Sequence, residues 1–180
     1  MSPYCRFVRA ILGDPTGYFV DFGAHRPQHG NNTFDLEALG WEGLSFELDP
    51  VAHWPAKRNT KCIGGDATAM NLPEMFLAHD VPTLIDYISI DVDDSTLDLI
   101  SNLPFAWDYR VATVEHNAYA GGPRDEIREL VAGHGMEIIA ADVLTSDGRP
   151  FEDWWVHPGL VDMNRAEQLR CHGKPWNEMA

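Results

Sequence analysis

Short β-rich runs alternate with amphipathic, helix-forming stretches along the chain, and this alternation limits the folds that the sequence can adopt. Helical patterns lie between most of the runs, at residues 33–39, 70–79, 95–102 and 123–134. Strands separated by helices pair in parallel, whereas the last two runs, joined by a turn at Asp147 and Gly148, predict an antiparallel edge hairpin. The sequence therefore predicts a single doubly wound, mainly parallel α/β sheet of seven strands. These strands are expected at residues 18–22, 43–47, 60–64, 84–91, 110–115, 136–140 and 151–156.

The ends of the chain are expected to belong to the same domain as the sheet. Residues 1–17 predict a short N-terminal cover helix, residues 18–160 the sheet domain, and residues 161–180 a C-terminal tail. The tail is polar and predicts a short helix followed by a loose end. Within the last strand, Trp154 and Trp155 alternate faces, so one should pack in the core and the other should cover a surface.

Charge and cysteine content exclude several classes of function. The 180 residues include 13 basic and 28 acidic side chains, and a net charge of −15 disfavours sequence-independent binding to nucleic acid. No apolar run approaches the length of a membrane span. Cys5, Cys62 and Cys171 are odd in number and widely spaced, which argues against a disulfide scaffold and fits a cytoplasmic protein.

Acidic residues follow five successive predicted strands. Because parallel strands place their carboxyl ends at one rim, where open α/β sheets bind ligands, these acids should lie near a common site. Such a site suits a cationic or hydroxyl-rich ligand better than a polyphosphate. The acids are Asp21, Glu47 with Asp49, Asp66, Asp91 and Glu115.

The loop after the first strand indicates a nucleoside cofactor without phosphates. Gly23 supplies a turn glycine, but the dinucleotide fingerprint needs further glycines where His25 and Gln28 stand. A pyrophosphate-binding loop is therefore disfavoured. An acid at the end of the second strand, here Glu47, can hold both hydroxyls of a ribose.

These stretches resemble the FkbM-type S-adenosylmethionine-dependent methyltransferases. The matching segments are VDFGAHRP at 20–27, NNTF at 31–34, LGWEGLSFE at 39–47, IDYISIDVD at 85–93 and VEHN at 114–117. The resemblance runs from about Tyr18 to Glu129 and implies a Rossmann-like methyltransferase sheet. It departs from the family after Asp91, where an acid and a glycine are often found and this chain has Val92 and Asp93.

The resemblance implies a role for each matching residue. Asp21, Gly23 and Ala24 would line the methionine end of S-adenosyl-L-methionine, with Asn32 of the Asn-Thr motif also on the cofactor side. Glu47 would take the ribose hydroxyls, with Asp49 beside it. Asp66 and Ala67 look like the adenine segment, and Asp91 would close the fourth strand facing the reaction centre.

The acceptor side is less constrained by the sequence. Methyl transfer to oxygen needs a base, for which Asp91 and the run Glu115, His116 and Asn117 are the candidates. His116 is the natural base, since its ordinary pKa lies near 6.5. His25 and Asn117 are the candidate substrate contacts.

A divalent ion is the rival to a protein base. Asp91, Asp93 and Glu115 offer oxygen ligands that suit Mg²⁺ or Mn²⁺.

Three functions remain open at this stage. The leading hypothesis is O-methylation of a small molecule, sugar or glycan precursor, with N-methylation open and with the chain as a monomer or homodimer. A non-catalytic module of the same fold and a nicotinamide-dependent oxidoreductase are the alternatives.

Overall fold

The computed structural model describes residues 1–13, 16–50, 54–104 and 106–179. All seven predicted strands are confirmed to within a few residues, and one further short strand follows them. The strands are β1 (Tyr18–Phe22), β2 (Glu42–Glu47), β3 (Lys61–Gly64), β4 (Leu84–Ile90), β5 (Asp108–Glu115), β6 (Glu137–Leu144), β7 (Pro150–Val156) and β8 (Cys171–His172). The α-helices are α1 (Pro3–Leu12), α2 (Phe34–Ala38), α3 (Leu72–Ala78), α4 (Thr96–Ser101), α5 (Arg124–Gly133) and α6 (Met163–Glu167).

The strands form one mixed sheet in the order β3-β2-β1-β4-β5-β7-β6-β8. β7 runs antiparallel to β5 and β6, and the remaining pairs are parallel. The expectation of seven strands ending in an edge hairpin is therefore corrected in two ways. β7 lies inside the sheet between β5 and β6, and β8 covers β6 on its outer side. From β1 the chain adds β2 and β3 on one side of the sheet and then β4 and β5 on the other. The switch point therefore lies between β1 and β4, which is where a doubly wound sheet opens a crevice.

Helices cover both faces of the sheet, as a doubly wound fold requires. One core packs side chains of α3, α4 and α5 against the strands, and the other packs those of α1, α2 and α6. Successive strand residues serve opposite cores, so Tyr87 faces one and Ile88 the other. The same alternation places Trp154 and Trp155 in different cores, both buried. The prediction that one of this pair covers a surface is wrong, because β7 is an interior strand.

The first helix forms for local reasons that its sequence makes clear. The Ser2 hydroxyl accepts a hydrogen bond from the Cys5 N–H at 3.2 Å, and a proline begins the first turn. Tyr4, Phe7, Val8 and Ile11 recur at helical spacing and are buried against the sheet. In the described ranges, no helix is long and apolar enough to cross a membrane.

The C-terminal segment does not form the loose end that its polarity suggests. After α6, the chain pairs with β6 through β8, and the Leu144 N–H donates to the Lys174 carbonyl at 2.9 Å. Met179 is buried, and Arg6 donates to its carbonyl oxygen at 3.0 Å. Ala180 lies outside the described residues.

At the point where β1 ends beside β4, a glycine lets the two backbones lie very close together. Gly23 has a φ of +79°, and a Cβ added to it would lie 1.7 Å from the carbonyl oxygen of Asp91. The Gly23 N–H donates to Phe46 at 3.0 Å, and the Asp91 N–H donates to Phe22 at 3.0 Å. Only a residue without a side chain fits between these two strand ends.

We expect Gly23→Ala to destabilise the fold strongly. The new methyl group must push the Asp91 carbonyl away, and the positive φ adds strain, so the free energy of unfolding should fall by at least about 3 kcal/mol. Urea denaturation measures this change. Gly133→Ala is the control, because a Cβ there meets nothing within 4 Å. A Gly23→Ala protein as stable as wild type would contradict the close contact.

Candidate functional site

A cleft of about 520 Å³ opens at the carboxyl ends of β1, β2, β3 and β4. It lies at the switch point where the fold predicts a ligand site, and its volume falls within the range of small-molecule pockets. Phe46, Val92 and Leu99 supply apolar walls. The cleft brings together seven of the residues singled out in the sequence: Gly23, His25, Glu47, Asp66, Ala67, Asp91 and Asp93.

Glu47 ends β2 with its carboxylate held in place at the cleft. Its Oε2 accepts a hydrogen bond from the His25 N–H at 2.6 Å, and Oε1 lies 3.4 Å from the Asp49 N–H. Its carbonyl oxygen accepts from Gly65, which ties the end of β2 to the end of β3. A fixed carboxylate at this position can accept hydrogen bonds from a pair of hydroxyls. Asp49 itself is exposed and lies outside the cleft lining.

Asp66 organises the turn that follows β3. Its Oδ1 accepts from the N–H and the hydroxyl of Thr68 at 2.9 Å and 2.6 Å. These hydrogen bonds lower the pKa of the Asp66 carboxyl. Ala67, the next residue, is buried and lines the cleft.

Asp21 and Ala24 lie beneath the cleft and are not part of its lining. Asp21 is 1% exposed, and its Oδ2 accepts from the Thr33 hydroxyl at 2.8 Å. Burial raises the pKa of Asp21 to about 6, against the lowering effect of its hydrogen bonds and of Arg58. The Ala24 carbonyl accepts from the Asn31 side chain at 2.7 Å. Both residues therefore hold the loop that forms the cleft wall.

Arg58 is a buried cation that the sequence reasoning missed. Its guanidinium pairs with Glu37 and donates to Asn31 Oδ1 at 2.8 Å and to the Thr33 hydroxyl at 3.0 Å. It also lies over the Trp54 ring, 5.0 Å from the centroid. One side chain thus joins α2 to the loop after β1. An isolated arginine in a polar loop carries no sequence signal that would reveal this.

A second cleft, of about 550 Å³, lies beside the first and shares Gly30 and Asp91 with it. Asn32, predicted as a cofactor ligand, lines this second cleft, and its Nδ2 donates to the Ser89 hydroxyl at 3.0 Å. Sequence reasoning missed the aromatic wall because its members come from α1, α2, β7 and the C-terminal segment. They are Tyr4, Phe34, Phe151 and Trp176.

Asp91 and Glu115 form a carboxyl pair at the junction of the clefts. Glu115 is hydrogen-bonded to Asp91, and its Oε2 accepts from the Asp93 N–H at 3.0 Å. Burial, reinforced by the charge of Asp91, raises the pKa of Glu115 to about 8. Burial also raises the pKa of Asp91, while the hydrogen bond from Glu115 works to lower it. With a pKa of about 8, Glu115 keeps its proton at neutral pH and donates its hydrogen bond to Asp91.

Glu152 extends this pair to a third acid that the sequence reasoning missed. It lies directly opposite Glu115 in the β5–β7 register, and its Oε1 accepts from the Tyr4 hydroxyl at 3.1 Å. Burial raises the pKa of Glu152 well above its ordinary value and so favours the neutral form of the acid. The available signal in the sequence was an acid inside a predicted strand, where Glu152 and Asp153 stand between Phe151 and Trp154.

The structure does not bring His116 to the other candidate catalytic residues. Its ring is buried and lines neither cleft; Nδ1 accepts from the Ala118 N–H at 3.1 Å. Nε2 faces the carboxylates of Asp142 and Asp153, at 3.7 Å and 3.6 Å. Asn117 also lies outside both clefts, and its side chain contacts Glu115. This placement favours a structural role for His116.

Asp91, Asp93 and Glu115 were predicted as metal ligands. Their carboxylate oxygens do not lie close enough together to hold one ion. Within the described ranges, only His116, Asp142 and Asp153 bring three such ligand atoms within 4.8 Å of one another. Arg128 already bridges the two aspartates, donating from Nη2 at 3.0 Å and 2.8 Å. Although burial opposes it, hydrogen bonds from Arg128 and from the Asp142 N–H lower the pKa of Asp153 to about 2. A cation there would have to displace the arginine.

Comparisons with known proteins give a distant likeness only. No family model and no curated protein matches the chain. A DUF574 family protein from Streptomyces avermitilis is 11% identical, with 87% of this chain and 81% of that chain covered and a TM-score of 0.46. Precorrin-6y C5,15-methyltransferase from Geobacter metallireducens is 13% identical, with 85% of each chain covered and a TM-score of 0.44. Membership of the FkbM-type family therefore stays a prediction.

We expect stability to fall as the pH rises from about 5 to 8, in part because of Glu115. The folded protein keeps a proton on this residue up to a pKa of about 8, whereas the unfolded chain releases it near pH 4.3. The unfolding free energy should therefore fall by up to about 1.4 kcal/mol per pH unit from this residue. Urea denaturation from pH 5 to 8 should show a shallower decline for Glu115→Gln. Glu129→Gln, at an exposed site on α5, should keep the wild-type slope; a wild-type slope for Glu115→Gln would contradict the assignment.

Proposed function

We propose that the chain is an S-adenosylmethionine-dependent methyltransferase that methylates a hydroxyl group of a small-molecule or carbohydrate acceptor. The donor would bind in the first cleft and the acceptor in the second. The observation that carries the proposal is that one side chain, Asp91, lines both clefts. Two-substrate transfer requires donor and acceptor to meet at a common point, and the two clefts do so here.

The first cleft fits a nucleoside donor in its chemistry. Glu47 provides a fixed acceptor for two ribose hydroxyls, and Asp66 and Ala67 border the region proposed for adenine. Among the described residues that line this cleft there is no lysine or arginine. A pyrophosphate therefore lacks a counter-charge, whereas the negative charge of Asp91 suits a sulfonium.

The donor supplies an already activated methyl group, so the chain itself needs to align the acceptor and take up one proton. Asp91 is the group placed to accept the hydroxyl proton, because it reaches the second cleft. Glu115 donates a hydrogen bond to Asp91 and so keeps it ionised. The burial that raises the pKa of Asp91 also makes it a stronger base than an exposed aspartate.

Calorimetric titration tests the donor site. Wild-type protein should bind S-adenosylmethionine and S-adenosylhomocysteine, and Glu47→Ala should weaken both by at least about tenfold, because the ribose hydroxyls lose a charged acceptor. Glu42→Ala, at the exposed start of the same strand, is the matched control and should bind as wild type does. NADH should not bind. Binding of NADH alone would favour an oxidoreductase, and no binding by folded protein would contradict the proposal.

Turnover of an accepted substrate tests the base. Asp91→Asn should lower kcat by about 10²- to 10⁴-fold, because the hydroxyl proton loses its acceptor. In the wild type, kcat/KM should rise with pH. The inflection should lie above about 3.9, which is the ordinary pKa of an aspartate. His116→Gln should retain most of its kcat. A large loss in His116→Gln with little loss in Asp91→Asn would instead assign the base to the histidine.

A further inference from the structure

The second cleft combines aromatic rings with carboxylates. Its wall contains Tyr4, Phe34, Phe151 and Trp176, and its acids are Asp35 and Asp91. Among the described residues that line it there is neither lysine nor arginine. Four rings and two acids, with His29 as the one imidazole among the described lining residues, form a lining that favours positive charge over negative charge.

We propose that the second cleft binds a hydroxylated ring compound that carries a cationic amine, with the ammonium against the aromatic wall and the hydroxyl at Asp91. This inference rests on the proposed function only in taking the hydroxyl as the group that is methylated. Binding of the cation follows from the cleft itself. An amino sugar and an aromatic amino alcohol share this chemistry.

Two rings of the aromatic wall lie against each other. The Tyr4 and Trp176 rings are stacked, with centroids 6.3 Å apart and an interplanar angle of 22°. The Tyr4 hydroxyl is engaged with Glu152, which fixes the ring. Ring faces attract ammonium groups, and they also pack against the apolar faces of sugar and aromatic rings.

Asp35 accepts a hydrogen bond at the edge of the cleft. The Ser2 N–H donates to its Oδ2, and both residues line the cleft. Arg58 lies over the Phe34 ring, 5.9 Å from its centroid, and is paired with Glu37. The Glu37 carboxylate therefore balances its charge.

The charge of the whole protein acts in the same direction. A net charge of −15 concentrates cations near the surface and repels anions. An acceptor bearing a phosphate or carboxylate would meet Asp35 and Asp91, and the described lining offers it no lysine or arginine. The cleft should therefore rank otherwise similar ligands by their charge.

Two matched series of probes test this ranking by calorimetry at pH 7 and low salt, without a methyl donor. Glucosamine, glucose and glucuronate vary the charge on a sugar ring, and dopamine, catechol and 3,4-dihydroxybenzoate vary it on an aromatic ring. In at least one series the cationic probe should bind about tenfold more tightly than the neutral one, and the anion more weakly still. The series that shows this order identifies the ring type.

Variants locate the binding to this cleft. Asp35→Asn should reduce the preference for the cation to about threefold or less, and Trp176→Leu should weaken the cationic probe more than the neutral one. Asp125→Asn, also in the first turn of a helix but exposed, and Tyr119→Leu, an exposed ring, lie outside the cleft lining. Both controls should bind as wild type does.

The outcomes separate this inference from the proposed function. Equal or weaker binding of both cationic probes, no binding of either, or an unchanged preference in both Asp35→Asn and Trp176→Leu would overturn it. S-adenosylhomocysteine is titrated into the same preparations. Its failure to bind, with the cation ranking intact, would overturn the methyltransferase proposal and leave the amine site standing.

Discussion

The contact between Gly23 and the Asp91 carbonyl sets the geometry on which the rest of the site depends. It brings the ends of β1 and β4 closer together than any side chain would allow. The switch point of the strand order lies here, between β1 and β4. One crevice opens above β1 and β2, and a second opens beside α1. Asp91 stands where the two meet. A shared residue between two clefts is thus a direct consequence of one missing Cβ.

The acids of the site are tolerated because they are not all charged. Asp91, Glu115 and Glu152 lie on three neighbouring strands, and Glu115 and Glu152 face each other in register. Like charges at such positions destabilise a sheet. Burial raises the pKa of all three, and Glu115, with a pKa of about 8, keeps its proton at neutral pH. The arrangement lowers stability at neutral pH in exchange for a basic carboxylate beside both clefts.

Much of the sheet, and seven of the fifteen described residues that line the first cleft, could be predicted from the sequence. The alternation of β-rich and helix-forming stretches predicted seven strands, because the periodicity of hydrophobic residues depends directly on local structure. β8 was too short to show a period, and Tyr4 and Glu152 meet only through packing of distant segments. The assignment of His116 as a base stays a prediction. Glu115 ends β5 and His116 follows it directly, and successive residues of an extended segment point to opposite faces, so a shared site for both side chains does not follow from the sequence.

The most direct test of this account is a crystal structure of the protein with S-adenosylhomocysteine. The account predicts the ribose hydroxyls within hydrogen-bond distance of Glu47 and the sulfur beside Asp91, with the cleft next to α1 left open for an acceptor. A nucleoside bound in that second cleft, against Tyr4 and Trp176, would contradict the assignment of donor and acceptor sites. Occupancy of neither cleft would contradict the shared role of Asp91.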